Sequence, residues 1–254
     1  MNIKIKGIVL SQRNFRPREK YLTLLTDGRG LLEVRLRVFG QITANSFSNI
    51  GVMGYYYFDL FDGKSGFVVD AAEPIETFFD LRYDPVKLAL AQYFCELTQF
   101  MVPPLQNAGE NLRFLLNTLY LLKEDARNQQ LLKAVFEFRI LRLCGFLPNL
   151  ICCVRCCQYE GTQMYYLPLR SQLICSDCLK KEPHRTVVPL PKPVLHAMRF
   201  ILYKDSSDVF QFQLDDKSLQ YLGRLSEYCI LIHTDRPLKS LKIYKQLTKS
   251  LLEN

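Results

Sequence analysis

The sequence lacks most of the motifs on which catalysis depends. Its 254 residues contain no tryptophan and only three histidines, and they include no GxxxxGK[ST], GxGxxG or GxSxG pattern. His184, His196 and His233 stand apart in the chain, and none has a glutamate at the spacing of a metalloenzyme motif. We therefore expect a protein that is not an enzyme.

Long apolar segments are also missing. No stretch approaches the roughly 18 uncharged apolar residues that a membrane span requires. The first residues alternate Lys4 and Lys6 with Ile3 and Ile5, which predicts a strand and not the continuous apolar core of a signal peptide. We expect no membrane association and no secretion, and we predict a cytoplasmic protein.

The charge that is present is positive and unevenly distributed. The formal net charge is +8 and the isoelectric point about 9.0. Residues 1–37 contain nine Lys and Arg against three acidic residues, whereas residues 59–80 are acidic apart from Lys64. A local positive field favours a polyanionic partner. Nucleic acid, acidic protein tails and anionic membranes all qualify by charge, and we expect one of the first two.

The first part of the chain has the periodicity of strands. In Leu31–Phe39 apolar residues alternate with Glu33, Arg35 and Arg37, the pattern of a half-buried strand. Asp27-Gly28 supplies the residues of a hairpin turn. Several such short segments within residues 1–76 predict a five-stranded OB-fold barrel that binds nucleic acid.

The remainder, residues 77–254, has the periodicity of helices and is predicted to be an all-α domain, which makes the fold class α+β. A segment at 151–182 interrupts the helices and is predicted to be a metal-binding insertion, because a loop of this length without its own core needs a cross-link. The helices are expected at Pro85–Met101, Glu110–Lys123, Gln129–Cys144, Pro191–Lys204, Asp216–Ile232 and Leu238–Leu252.

Four cysteines in this insertion have the spacing of a zinc site. Cys153 and Cys156 form one x2 pair, and Cys175 and Cys178 form the other. Two such pairs close a tetrahedron of sulfurs around zinc and leave no open coordination position, so the predicted zinc is structural. Two alternatives stay open: Cys152 or Cys157 could replace a ligand in an x3 pair, or the thiols could be free and buried.

Two groups of basic residues are candidate binding sites. The first lies in the predicted loop after the first strand and on the third strand, interleaved with Phe15 and Tyr21; it is a candidate DNA site because cations follow phosphates and rings stack on bases. The second shares one side of the last helix and is a candidate site for an acidic peptide. Each group could instead be a solvated surface. The groups are Arg13, Arg16, Arg18, Lys20, Arg35 and Arg37, and Lys239, Lys242, Lys245 and Lys249.

Four segments, in this order, resemble the bacterial RecO family over essentially the whole chain. The first comprises Lys6–Leu10 together with Tyr21–Thr26 and Gly30. The others are Phe78–Asp84 with the helix containing Tyr93 and Glu96-Leu97; Arg139–Leu143 with Gly145–Pro148 and the four cysteines; and Arg236–Ser240.

This resemblance implies an N-terminal OB-fold and a helical domain that carries zinc. It also implies a DNA-repair protein, associated with the nucleoid, that binds single- and double-stranded DNA and anneals complementary strands. Its implied partners are RecR and the acidic, hydrophobic tail of single-strand-binding protein, and its implied role is to let RecA load on DNA coated by that protein. A scaffold that is stabilised by zinc and binds acidic protein tails is the alternative.

The chain departs from the family pattern at two places. The basic Gly-x-Arg-Arg-like run that often follows the third strand is missing, because Val38-Phe39-Gly40-Gln41 stands there. Cys157 occupies the position usually given to Gly after the second metal ligand. The first departure shifts the expected DNA contacts toward Arg35, Arg37 and the first loop.

Overall fold

The computed structural model describes residues 2–17, 19–37, 50–63, 66–181, 186–204 and 208–252. The predicted loop Gly40–Asn49 and the departure at Val38–Gln41 lie outside these residues. Described residues fall into two compact units, one made of 1–126 with 237–254 and one made of 127–236. The proposed boundary between domains at residues 76 and 77 stays a prediction, because spatial grouping does not test which segments fold independently.

The first unit contains a closed five-stranded barrel, as the strand pattern predicted. The strand order is β1-β2-β3-β5-β4, and β4 pairs with β1 to close the barrel. β3 and β5 are parallel and the other pairs are antiparallel, which is OB-fold topology. The strands are β1 Asn2–Arg16, β2 Glu19–Thr26, β3 Gly30–Arg37, β4 Tyr55–Gly63 and β5 Gly66–Glu76.

Alternate residues of these strands fill the barrel. On β3, Leu32, Val34 and Leu36 are almost fully buried, while Glu33 between them is exposed. This period of two directs one face of each strand into the core and the other toward solvent. The charge and polarity of the barrel surface are therefore determined by the outward-facing residues that alternate with the buried ones along each strand.

The described part of this unit also contains three α-helices: α1 Pro85–Met101, α2 Gly109–Lys123 and α7 Lys239–Leu252. Asp84 caps α1, since its carboxylate accepts hydrogen bonds from the backbone N–H groups of Val86 (2.8 Å) and Lys87 (3.1 Å). Glu96 of α1 accepts a hydrogen bond of 2.9 Å from the backbone N–H of Ser240 in the first turn of α7. A carboxylate is favourable there because the N-terminus of a helix is positive.

The second unit surrounds a small sheet with the strand order β6-β8-β7-β9. Its elements are α3 Gln129–Leu143, β6 Asn149–Cys153, β7 Met164–Leu167, β8 Gln172–Cys175, α4 Ser176–Lys181, β9 Val188–Leu190, α5 Lys192–Tyr203 and α6 Asp216–Thr234. Arg139 of α3 is buried and donates to the backbone oxygens of Ile201 (3.0 Å) and Lys204 (2.7 Å) at the end of α5. This satisfies terminal carbonyls that the helix itself leaves unpaired.

The predicted helices are present, with ends that differ by at most two residues from those expected. The predicted loop between the first two strands was wrong. Arg13 and Arg16 belong to β1 and Lys20 to β2, so the segment is an extended hairpin whose strands pair as far as Arg16 and Glu19. The second half of β1 was not predicted as a strand, because the polar residues after Leu10 do not alternate with apolar ones. Among the described residues, no helix is long and apolar enough to cross a membrane.

Candidate metal centre and nucleic-acid interface

The first half of the metal centre is a tight turn at the end of β6. The backbone N–H of Cys157 donates to the carbonyl of Cys153 (2.9 Å), and the N–H of Cys153 donates to the carbonyl of Gln158 (2.9 Å). These bonds fold the chain back on itself directly after the strand. The sulfurs of Cys153 and Cys156, at the two ends of this turn, lie within 4.8 Å of each other.

The second half lies where β8 passes into α4. Cys175 is the last residue of the strand, and Cys178 lies in the first turn of the helix. All four sulfurs lie within 4.8 Å of one another, and those of Cys156 and Cys175 are 3.7 Å apart. A tetrahedral zinc with Zn–S bonds of about 2.3 Å has sulfur–sulfur edges of about 3.8 Å. The four-cysteine cluster (Cys153, Cys156, Cys175 and Cys178) therefore fits a zinc ion.

The electrostatics of the cluster favour a cation. Burial raises the pKa of the Cys153 thiol, but N–H groups of Cys156, Arg155 and Cys175 outweigh burial and lower this pKa to about 6. The pKa of Cys178 is raised to about 12, first by a hydrogen bond with Cys175 and then by burial. Four thiols this close cannot all ionise unless a metal compensates their charge, so the chemistry of the donor set agrees with its geometry.

Arg199 of α5 braces the first half of the centre. Its guanidinium donates to the backbone oxygens of Leu150 (2.8 Å), Ile151 (3.0 Å) and Tyr159 (2.7 Å), and it lies 3.9 Å from the centroid of the Tyr159 ring. One buried side chain therefore fixes the chain both before and after the turn. Such outer partners orient metal ligands and commonly change metal affinity by about 10- to 100-fold.

The two extra cysteines of the insertion are not members of the four-cysteine cluster. Among the described residues, only the four cysteines with x2 spacing form a group able to hold a metal around Cys153. Cys152 is half-buried and Cys157 is exposed. The structure thus favours the x2 register over the x3 registers that the sequence left open.

Arginines on the barrel form two rows across β1, β2 and β3. Strand register places Arg13 beside Tyr21 and Tyr21 beside Arg35. The next row contains Arg16 on β1, Glu19 on β2 and Arg37 on β3. We call Arg13, Arg16, Arg35 and Arg37 the arginine face. Lys20 pairs with the buried Leu36 and so lies on the opposite side of β2, and Arg18 lies outside the described residues.

Aromatic rings and carboxylates accompany these arginines. Arg13 lies 4.5 Å from the centroid of the Tyr21 ring and Arg16 lies 5.2 Å from that of Phe15, which is 49% exposed. Arg13 also donates to both carboxylate oxygens of Glu33, at 2.9 and 2.8 Å. Arg37 forms an ion pair with Glu19, whose Oε1 lies 3.3 Å from Arg37 Nε, but the two groups are not aligned for a hydrogen bond. The face is therefore cationic and aromatic, but partly neutralised.

The lysine stripe (Lys239, Lys242, Lys245 and Lys249) lies on the exposed side of α7. Ile243 is 47% exposed beside it, while Tyr244 is buried. Ile243 follows Lys242 directly and lies one helical turn after Lys239, so an exposed apolar side chain stands among the cations. It gives this helix a surface that is both basic and apolar.

Comparison with known proteins agrees with this architecture. The family model described as "Recombination protein O C terminal" matches residues 82–242. A protein of Acetivibrio thermocellus is 25% identical over 225 residues, which are 89% of each chain. One from Symbiobacterium thermophilum is 28% identical over 239 residues, covering 93% of this chain and 94% of the relative. Both carry the name "DNA repair protein RecO".

A closed OB-fold barrel followed by helices and a four-cysteine cluster places the chain among two-part proteins that combine an OB-fold with a helical region able to hold a metal. Within that class, the matched region covers more than half of the chain. The chain belongs to the RecO family, which confirms the resemblance found in the sequence.

Proposed function

We propose that this protein is a DNA-binding recombination mediator that anneals complementary strands without an enzymatic step. It would act in DNA repair, as the names of its relatives indicate. Its site of action would be the cytoplasm, at the nucleoid. With RecR as partner, it would help RecA to load on single-stranded DNA coated by single-strand-binding protein. A zinc ion in the four-cysteine cluster would have a structural role.

The arginine face is the observation that carries the proposal. Its four cations lie on adjacent strands of an OB-fold, and Tyr21 and the exposed Phe15 lie among them. Guanidinium groups bind phosphates, and aromatic rings stack on bases of any sequence for about 1–3 kcal/mol per base. Such a surface would bind both single and double strands, and it would screen the repulsion between two strands until their bases pair.

A salt series tests this proposal. We expect the affinity for a single-stranded oligonucleotide to fall steeply with salt, with a slope of about −0.7 in log K against log salt for each phosphate contacted. The variant Arg13→Ala/Arg16→Ala/Arg35→Ala should bind more weakly and show a shallower slope. Unchanged affinity and slope in that variant, with an unchanged circular dichroism spectrum, would contradict a DNA site on the barrel.

The lysine stripe favours a second candidate function, the binding of an acidic protein tail. A tail that ends in apolar residues needs cations beside an apolar contact, and the exposed Ile243 next to Lys242 offers both. We propose the tail of single-strand-binding protein as its ligand. If DNA binding failed the salt series while this contact held, the protein would be a scaffold that is stabilised by zinc.

A further inference from the structure

A cavity of about 560 Å³ lies next to the four-cysteine cluster, within the second unit. Its volume is in the range of about 300–1,000 Å³ that is typical of sites for small molecules. One wall contains Ile151 and Tyr159, which come just before and just after the turn that carries Cys153 and Cys156, and the other wall is formed by α5. The arginine face and the lysine stripe belong to the first unit, so the cavity is separate from both.

Three aromatic rings line the cavity: Tyr159, Phe200 and Tyr203. The Arg199 guanidinium lies over the Tyr159 ring, 3.9 Å from its centroid, and 58% of Tyr159 is nevertheless exposed. The Tyr203 hydroxyl donates to the carbonyl of Pro148 (2.9 Å), so this ring is held in place while remaining partly exposed. Rings that are fixed in advance can stack on a flat ligand with little loss of conformational freedom.

The polar groups of the cavity carry charges of both signs. Arg199 and the exposed Lys204 are cations, and Glu160 is an anion. Glu160 Oε1 lies 2.8 Å from His196 Nε2 and 3.6 Å from Arg199 Nη1. A carboxylate in the wall disfavours an acidic peptide tail, because like charges repel, but it can accept hydrogen bonds from the amino groups of nucleobases. A lysine at the rim can bind a phosphate as a point charge.

We propose that this cavity holds one nucleotide of single-stranded DNA, with its base among Tyr159, Phe200 and Tyr203 and its phosphate at Lys204. Stacking on aromatic rings accepts any sequence, because every base has an aromatic face. A base held in the cavity cannot pair, so the site selects single strands over duplex. The inference deepens the proposed function and rests on it for the identity of the ligand.

Photocrosslinking of the full-length protein tests the site directly. A single-stranded oligonucleotide in which 5-iodouracil replaces thymine at one position after another is irradiated with the protein, and the adducts are located by digestion and mass spectrometry. Iodouracil couples to aromatic rings on which it stacks, so we expect an adduct on Tyr159 or Tyr203. Adducts confined to Phe15 and Tyr21 would overturn the cavity site and leave the DNA site on the barrel standing. Absence of both adducts and binding would overturn the cavity site together with the proposed function.

A double variant measures what the cavity contributes to affinity. Tyr159→Leu/Lys204→Gln removes a stacking ring and a cation, so the dissociation constant for single-stranded DNA should rise about tenfold, while that for duplex of the same length should change little. Tyr120→Leu/Lys217→Gln makes the same changes at exposed positions outside the cavity and should bind both normally. Circular dichroism reports folding. Equal affinities of the two variants for single strands, or equal losses for single strands and duplex, would overturn the proposal.

Two competitors distinguish other ligands of the same cavity. Deoxythymidine monophosphate should suppress the adduct on Tyr159 only at a concentration at least about a hundredfold above that of unlabelled oligonucleotide, because a strand gains from its other contacts. Equal potency would make the cavity a site for a free nucleotide and overturn its role in strand binding. An acidic peptide with an apolar end should bind Tyr159→Leu/Lys204→Gln as it binds the unaltered protein. If its affinity falls in this variant while that for DNA does not, the cavity binds a protein tail and the proposal is wrong.

Discussion

The candidate metal centre and the arginine face hold their side chains by different means. In the metal centre, backbone hydrogen bonds fix Cys153, and buried Arg199 binds three carbonyls around the turn. On the arginine face, Arg13 and Glu33 are held by exposed side-chain pairing, with 61% and 51% of their side chains accessible. Exposed ion pairs contribute about 0–1 kcal/mol, whereas buried networks cost several when broken.

This difference predicts different consequences of substitution. Changes in the metal centre should act on stability, because its atoms are part of the folded framework. Changes on the arginine face and the lysine stripe should act on binding and leave the fold intact. Four variants, each with a control, test the contrast.

The largest effect is expected at the four-cysteine cluster. Cys175→Ser removes a buried ligand, so the protein should lose its zinc, and the free energy of unfolding should fall by more than about 4 kcal/mol. Metal analysis and urea denaturation measure both quantities. Cys152→Ser, outside the cluster, is the control and should retain one zinc. Full zinc content in Cys175→Ser would disprove the assignment of the ligands.

A smaller but still large effect is expected at Arg199. Arg199→Met keeps the apolar stem but leaves three carbonyls without their donor, so we expect a loss of about 3 kcal/mol in stability. Removal of zinc by a chelator should be at least about tenfold faster. Arg142→Met, which removes a half-buried donor to Leu202 and Lys204 at the end of α5, is the control and should change the chelation rate little. Equal chelation rates in the two variants would mean that Arg199 does not brace the turn.

Sequence alone identified the cluster but not this brace. The x2 spacing of cysteines is a local signal, because the geometry of each pair depends on its own turn. Arg199 bonds carbonyls 40 to 49 positions away, and no spacing rule reaches that far. Its one sequence signal is a cation within the apolar side of a helix, between Met198 and Ile201, both fully buried.

The barrel shows a similar division. Alternation in Leu31–Phe39 predicted β3 and placed Arg35 and Arg37 on its outward face, because period two follows from strand geometry; both arginines are half-buried there. The pairing of Arg13 with Glu33 depends on the register of three strands, which the sequence pattern did not give. Composition therefore predicted that the charge of this surface is positive. Only the structure shows how much of that charge is already paired with carboxylates.

The lysine stripe tests the contrast on a helix. Lys242→Glu/Lys245→Glu should weaken an acidic peptide with an apolar end by at least about tenfold, or 1.4 kcal/mol, and spare the fold. Fluorescence anisotropy measures the dissociation constant, and circular dichroism reports folding. Lys217→Glu/Arg224→Glu on α6 makes the same change in net charge at exposed positions and should bind the peptide normally. If peptide affinity fell equally in both variants, the lysine stripe would act only through the net charge of the protein and not as a specific site.

The smallest effect is expected at Glu33. A substitution there distinguishes the release of Arg13 from its ion pair from a general change in net charge. Glu33→Gln removes the carboxylate that holds Arg13, so the guanidinium becomes available to a phosphate. We expect the affinity for single-stranded DNA to rise about two- to threefold, about 0.5 kcal/mol, and the salt slope to steepen by about 0.7. Asp59→Asn is the matched control, because it makes the same charge change beside Lys4 on the β1–β4 side of the barrel. If DNA is bound by the arginine face, Glu33→Gln gains affinity and Asp59→Asn does not. Equal gains would show that DNA responds only to the overall charge, and the two rows of arginines would then be a solvated surface.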